Sequence, residues 1–574
     1  MKSNEINYRL RFLKSVSLFK GVNQNTLKRI VSSIVERKIH NKDTIYFAGE
    51  KSEKLFIIRY GEAIVRVNEQ KSVYLGPGDV LAEVSVITGL SHSSSATASL
   101  DSLLYEIDGK KFMELASIDR VLSSNLINLL SDRFRDNIVS RKHSINPRRL
   151  ILHVKLDSEL NFSEEVSQVI KVSDDGLVQK SGLFSSKVFQ NLSHEKVLIK
   201  LSDLRKKNPI LHIKFDSSEM LSMNESIVFQ ADYIVFYELD LTKNIHEKNR
   251  IWSHWKDRIR NYQGRVIRFS KIRSEEKIKT ERVLYNKEFL GRYLVGKTRG
   301  LTLGGGGARA LAHVGLLKVL EKNKIHFDYV SGSSMGAVIG ALYARGESAN
   351  KIEAYVKKFF GSIESPFDPT LPLISFYKGR KMKKMLKEAF GDDRIEDYSI
   401  PFVTSAVDLH SGEEYIFDKG PLWEALLCTM SLPAVFPPVF LGEHLLVDGG
   451  VLNNVPDNLI RDKGADTILS VNVSPLKDKG LYQLLEDRRE TGKSFFRNLW
   501  EYIKYPPILK IMGRASMLEG REIVKSKVSR MDLFLHFHLE EFNLFDFRLY
   551  KQIIDKGEKE AEKSIGEIRK LFYR

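Results

Sequence analysis

Cysteine is almost missing from this chain: Cys428 is the only one in 574 residues. A disulfide within the chain and any multi-cysteine metal cluster are thereby excluded, and a reducing compartment is the expected setting. Long hydrophobic runs are missing too. No apolar stretch approaches the ~18 residues of a membrane-spanning helix, and the longest candidate, Leu432–Leu441, holds three prolines. The opening Met1–Leu10 has no apolar signal-peptide core. Cytoplasmic residence, with peripheral attachment to the inner face of a membrane, is the expectation. Charge is unbalanced, with Lys+Arg 90 against Asp+Glu 73, a formal net charge of +17. That excess suits nucleic acid or anionic lipid. No zinc finger, RNP-type aromatic motif or helix-turn-helix accompanies it, so nucleic acid is set aside. Most of the lysines read as solvated surface. At 42% hydrophobic and 28% charged residues the chain has ordinary globular composition, and its length calls for two to four domains.

What is present is a serine between glycines. Ser334 occupies the centre of G-x-S-x-G at Gly332 to Gly336, after an apolar run and before a helix-like one. That order suits a strained strand-to-helix turn that lifts a hydroxyl clear of the backbone as a nucleophile. Upstream, Leu301–Leu303 runs into four glycines, Gly304–Gly307, and then into helix-like Leu311–Leu320. Consecutive glycines let amides point into one concavity at a helix start, which is what an oxyanion hole requires. Gly305, Gly306, Gly307, Ala308 and Arg309 are its expected residues, with the amides of Gly305 to Ala308 as donors and Arg309 pinning the loop. A dinucleotide fingerprint is the competing reading. Ala310 stands where its third glycine belongs, and the next turn carries the serine. Downstream, Asp448 ends the apolar Leu445–Val447 and enters a Gly-Gly turn. A buried, oriented aspartate beside a serine hydroxyl can take its proton.

In this series the chain resembles the patatin-like phospholipases, and within them the neuropathy target esterase branch with its bacterial members. The family pattern G-G-G-x-R-G falls on Gly305, Gly306, Gly307, Ala308 and Arg309, with Ala310 in place of the last glycine. The elbow falls on Gly332, Ser334 and Gly336, and D-G-[GA] on Asp448-Gly449-Gly450. The resemblance implies an α/β patatin-like hydrolase domain over 293–574, with its catalytic motifs within 301–456. It further implies a Ser334–Asp448 dyad without a catalytic histidine, no metal, no cofactor, and acyl esters of phospholipids or lysophospholipids as substrates. His313 is expected to face packing, and His410 lies in the turn-like Asp408–Gly412.

Residues 1–140 read as a β-rich barrel with helices at its ends. Leu55–Val67 alternates apolar and polar residues, with a hairpin-like turn at Tyr60-Gly-Glu62; further strands are expected at Ser72–Leu75 and Leu103–Ile107. The stretch resembles a cyclic nucleotide-binding domain. Glu83 matches that family's ribose ligand, but its phosphate-binding arginine is absent, with His92 or Ser93 at the expected place. Glu83, Ser93 and Ser94 are the groups left to hold a nucleotide, without a charge-assisted fork. A fold kept for packing or regulation is the preferred reading.

Residues 141–292 alternate apolar runs (150–154, 209–215, 233–237) with polar helix-like stretches and read as a small intermediate α/β module. No Walker-type motif occurs there, and Lys271–Arg282 reads as an exposed linker. Two aromatic and basic stretches, Phe359–Lys387 and Phe495–Met512, suit a membrane interface, and equally suit core or dimer packing. The alternative function is a regulatory or membrane-recruited binding protein with a vestigial hydrolase domain.

Overall fold

The computed structural model describes residues 3–51, 53–68, 71–139, 149–155, 162–173, 181–189, 192–208, 210–215, 225–238, 255, 265–270, 282–284, 286–360, 368–371, 374–475, 524 and 526–572. The chain divides into two units, Met1–Val295 and Gly296–Arg574. Most of the expected linker 271–282 and all of the stretch 495–512 lie outside the described residues.

The first unit opens with an antiparallel sheet. Its strands are β1 (Val35–Ile39), β2 (Thr44–Tyr46), β3 (Lys54–Asn68), β4 (Lys71–Leu75), β5 (Val80–Leu81) and β6 (Ser95–Asp108), ordered β1-β6-β3-β4 with β2 on β6 and β5 on β3. Alternation in β3 sends Leu55 and Ile57 to one buried face and Phe56 and Ile58 to the other. The hairpin expected at Tyr60–Glu62 is not formed. β3 runs on through 15 residues, and its register against β6 shifts around Gly61. Gly61 has φ +93, and a Cβ there would lie 2.4 Å from Asp101 O, so the glycine marks a bulge rather than a turn. The expected 103–107 strand is the end of the longer β6.

A second sheet in the same unit is wholly parallel. It comprises β7 (Arg149–Lys155), β8 (Gly182–Ser185), β9 (Ile210–Phe215), β10 (Tyr233–Glu238), β11 (Arg265–Ser270) and β12 (Arg282–Leu284), in the order β12-β11-β10-β7-β9-β8. The three expected apolar runs form β7, β9 and β10, continuous hydrophobic strands buried on both faces. Helices α1 (Glu83–Thr88), α2 (Phe162–Ser173) and α3 (His194–Lys207) also belong to this unit. Buried Arg205 of α3 reaches the barrel, where its guanidinium meets Glu62 Oε1 at 3.3 Å, and it meets Asp232 Oδ2 at 3.2 Å.

The second unit is built on one mixed sheet. Strands β13 (Arg299–Leu303), β14 (Tyr329–Gly332), β15 (Phe402–Asp408), β16 (Glu414–Phe417), β17 (Val439–Leu441), β18 (His444–Asp448), β19 (Thr467–Asn472) and β20 (Leu533–His536) run in the order β17-β18-β15-β14-β13-β19-β20, with β16 also on β15. From β15 to β20 the pairing is parallel; β16, β17 and β18 are antiparallel additions at one edge. Helices α4 (Ala312–Lys322), α5 (Ser334–Ala344), α6 (Ala349–Phe360), α7 (Arg380–Phe390), α8 (Leu422–Thr429) and α9 (Tyr550–Phe572) complete the described core of this unit. In α7, Met382, Leu386 and Phe390 recur every fourth residue and are buried, while Arg380, Lys381, Lys383, Lys384 and Lys387 stay exposed. Among the described residues no helix is long and apolar enough to cross a membrane.

Candidate active site

The crevice of a parallel sheet opens beyond the carboxyl ends of its strands, where loops are free to carry chemistry. β14 ends at Gly332 and α5 begins at Ser334, so the elbow stands at such an end. Ser334 has φ +52, a left-handed conformation that is strained for a non-glycine residue. Close packing holds it there. A Cβ on Gly336 would lie 2.4 Å from Leu303 O and 2.5 Å from Gly304 O, so the start of α5 sits directly against the end of β13. The Ser334 amide donates to Thr429 Oγ1 at 3.2 Å, and Thr404 Oγ1 donates to Gly332 O at 2.8 Å. Two threonines from β15 and α8 therefore tie both ends of the turn. Ser334 itself is only partly buried between fully buried neighbours.

Asp448 closes β18 opposite Ala406 of β15 and is fully buried. Its Oδ1 accepts the Gly450 amide at 2.8 Å, and its Oδ2 has no hydrogen-bond partner among the described residues. Burial pushes this carboxyl up to about 7; the Ser334 hydroxyl and the Gly450 amide pull it back. The serine is thus near enough to stabilise the carboxylate without being in a formed hydrogen bond with it. Such contacts are commonly long before substrate arrives.

The glycine loop crosses this pair. Gly304 N donates to Val471 O, Gly305 N to Asn454 O, Ala308 N to Leu544 O and Arg309 N to Gly306 O. The amides of Gly305 and Ala308, expected as oxyanion donors, are therefore engaged by protein carbonyls, as is that of Arg309. No such bond occupies the amides of Gly306 and Gly307 among the described residues. Met335 N, the amide after the serine, is likewise unengaged among the described residues, a donor that no sequence motif marks. Arg309 Nε donates to Phe542 O at 2.7 Å, pinning the loop as its sequence position suggests. His313 Nε2 donates to Gly304 O at 2.9 Å, and burial lowers the ring's pKa to about 4. It is a neutral packing residue under the loop. His410 is exposed in the turn after β15.

Among the described residues, Ser334 and Asp448 are the two polar side chains lining an otherwise apolar pocket, whose walls include Met335, Met382, Met385, Met430, Phe436 and Phe547. A second apolar cavity behind it shares Met335, Phe360 and Met385 and continues between α5, α6 and α7 to Ile339, Leu342 and Phe390. Methionine suits such walls, because its unbranched thioether adapts to a flexible apolar ligand.

The barrel cassette looks different. Glu83 is buried at the start of α1, Ser93 is exposed and Ser94 partly buried. His92 turns inward: it stacks on Tyr46 at 3.9 Å between ring centres, and its Nδ1 meets Ser85 Oγ at 2.9 Å. Burial lowers its pKa, so it supplies no cation where an arginine is expected. A group with metal-ligand composition, His536, His538 and Glu540, lies at the end of β20 with its ligand atoms within 4.8 Å. Asn472 Nδ2 donates into His536 Nδ1, however, which places the ring hydrogen on Nε2, facing Glu540. In that tautomer His536 offers no electron pair to an ion.

Residues 301–457 match the family model described as patatin-like phospholipase, and residues 36–119 match that of the cyclic nucleotide-binding domain. The chain therefore carries a patatin-like phospholipase domain behind a cyclic nucleotide-binding domain. Among curated proteins it is 32% identical over 295 residues to "Patatin-like phospholipase domain-containing protein 6" of Mus musculus, which covers 49% of this chain and 22% of that one. It is 29% identical over 289 residues to "Lysophospholipase NTE1" of Yarrowia lipolytica, covering 49% and 20%. To "Neuropathy target esterase sws" of Drosophila melanogaster it is 31% identical over 279 residues, covering 47% and 19%. The chain spans about a fifth of the length of these relatives. Among solved structures, the sensor domain of the transcriptional regulator DNR from Pseudomonas aeruginosa aligns at 17% identity over 24% of this chain and 96% of that one, with a TM-score of 0.22.

Proposed function

We propose that this protein is a serine carboxylic-ester hydrolase that cleaves acyl esters of phospholipids, lysophospholipids foremost, through Ser334 and Asp448. The observation that carries the reading is the pocket: one nucleophile and one buried acid in a wall of methionine and phenylalanine. Asp448, ionised, takes the proton from Ser334 Oγ as that oxygen bonds to the ester carbonyl carbon. The carbonyl oxygen gathers negative charge against the amides of Gly306, Gly307 and Met335, each such donor typically contributing ~3 kcal/mol. Collapse breaks the ester C–O bond, and the leaving alcohol carries away the proton from Asp448. Water then gives its proton to Asp448 and attacks the acyl-enzyme, releasing the fatty acid and restoring Ser334. The acyl chain lies among the methionines and extends toward the second cavity. Lysophospholipid is favoured because several curated relatives carry the name lysophospholipase.

The pocket mouth supports a peripheral membrane position. Residues 368–371 run antiparallel to 374–378, Lys378 N to Asp368 O at 2.9 Å and Thr370 N to Phe376 O at 3.0 Å, and Leu371 and Ile374 are 80% and 75% exposed. The second of these stretches bonds Ala434 and Val435 beside the pocket, and Phe440 nearby in the chain is 81% exposed. With the basic face of α7, these are the groups an anionic interface takes up. For the barrel, the inward His92 and the missing arginine support a packing or regulatory role over cyclic nucleotide binding.

The deciding experiment is hydrolysis of a short-chain p-nitrophenyl ester and of a lysophospholipid by wild type and Ser334→Ala, with an organophosphonate probe alongside. Turnover and labelling that depend on Ser334 are expected. Two folded proteins equally inert and unlabelled would replace the enzyme with a binding protein carrying a vestigial hydrolase domain.

A further inference from the structure

The Gly305–Gly306 peptide is gripped from one side. Ser474 Oγ donates to Gly305 O at 2.7 Å, and Asn454 Nδ2 donates to the same oxygen at 3.2 Å. Asn454 Nδ2 also reaches Ser474 Oγ at 3.3 Å, so the hydroxyl accepts from the amide while it donates to the carbonyl. Ser474 is itself fixed by a reciprocal pair with Asn472, Ser474 N to Oδ1 at 3.2 Å and Nδ2 to Ser474 O at 3.1 Å. In a trans peptide the carbonyl and the N–H of the next residue point in opposite directions across one rigid plane. Two donors holding Gly305 O therefore hold Gly306 N–H as well, aimed away from Ser474. That amide is one of the two in the loop left unengaged, and the loop passes over the serine: a Cβ on Gly305 would stand 3.1 Å from Ser334 Cβ.

We propose that Ser474, assisted by Asn454, is a positioning residue of the oxyanion hole: it sets the Gly305–Gly306 peptide so that Gly306 N–H meets the developing oxyanion. The inference rests on the hydrolase reading above and concerns a residue beyond the family match, which ends at 457. A neutral peptide plane left to rock samples orientations in which its amide misses the anion. The loss then falls on the charged transition state and spares the neutral ground-state ester.

The test compares wild type, Ser334→Ala, Ser474→Ala and Ser474→Thr on a p-nitrophenyl ester, with thermal unfolding of each. Ser474→Ala is expected to lower kcat about tenfold, less than outright removal of a donor, with KM within about twofold and an unchanged melting temperature. Ser474→Thr, which keeps the hydroxyl, is expected to recover most of kcat. The rate of covalent labelling by an organophosphonate, whose P–O⁻-like transition state uses the same amides, falls in parallel with kcat. Ser334-dependent turnover in wild type with an unaltered kcat in Ser474→Ala overturns this proposal alone. So does a loss confined to KM or melting temperature, or a Thr variant as slow as the Ala variant. Turnover equal in wild type and Ser334→Ala overturns the hydrolase reading, and this proposal with it.

Discussion

Glu62 and Asp448 are both carboxylates without solvent exposure, and their surroundings treat them in opposite ways. Glu62 in the barrel strand β3 receives Arg205 at 3.3 Å and the Ser99 hydroxyl at 2.8 Å, so a counter-charge and a donor offset its desolvation. Among the described residues, Asp448 receives one backbone amide, has no cation beside it, and keeps Oδ2 without a partner. A paired buried acid joins parts of a structure; an unpaired one is held in readiness for a proton. By that contrast the proposed chemistry belongs to the second unit, and the polar centre of the first unit is a joint between its barrel and its parallel sheet.

Breaking the site should give the largest effects. Ser334→Ala is expected to reduce ester turnover by at least about 10³-fold, measured with the p-nitrophenyl ester, since no other described residue lining the pocket offers a hydroxyl, thiol or amine nucleophile. Asp448→Asn should reduce kcat by about 10³-fold or more and yet stabilise the fold. The native acid stays protonated up to about 7, whereas an unfolded aspartate ionises near 4. Between those values the native state binds the extra proton, so wild-type stability falls as pH rises through the window. Asparagine removes that penalty. The variant should therefore melt higher than wild type at pH 8, and the two should converge below pH 4. In wild type, kcat/KM should rise with pH through about 7, because the ionised acid is the base.

Breaking the joint tests the other half of the contrast. Arg205→Met leaves Glu62 buried and uncompensated and should destabilise the first unit by about 3–5 kcal/mol, with Glu62→Gln in the same chain restoring part of it. Hydrogen exchange over Ser95–Asp108 and Arg149–Lys155 reads the loss. A smaller effect sharpens the reading of the apolar pocket. Leu342→Trp, filling the second cavity, should lower the ratio of long- to short-chain kcat/KM about tenfold, as judged from a series of acyl lengths. Smallest of all, cyclic AMP at millimolar concentration should leave the melting temperature of the full chain essentially unmoved.

The groups legible in the sequence were those whose chemistry is local. Gly332, Ser334 and Gly336 share one turn, Asp448 and Gly450 another, and the glycine loop is contiguous, so spacing alone places them. Thr429, Asn454 and Ser474 were not legible as site residues. They reach the loop and elbow only because α8 packs on β15 and because β19, late in the chain, pairs with β13. The same limit applies to the proposed oxyanion donors: which amides of the loop are spent depends on carbonyls of Asn454 and Leu544, far along the chain. In the barrel, the missing arginine could be read directly, but the inward turn of His92 depends on Tyr46 across the sheet. A glycine in an alternating run fits a turn as well as the bulge found at Gly61, and only the partner strand decides.

Ala308 N and Arg309 Nε both end on carbonyls of the segment just before α9, Leu544 O and Phe542 O. The three motifs that carry the proposed hydrolase thus depend for their shape on residues well past the last of them. A catalytic module trimmed to the matched stretch would keep every recognisable signature and lose the clasp that holds its loop. Portability of the proposed activity, by grafting or by gene fusion, has its minimum unit set by that clasp rather than by the motifs.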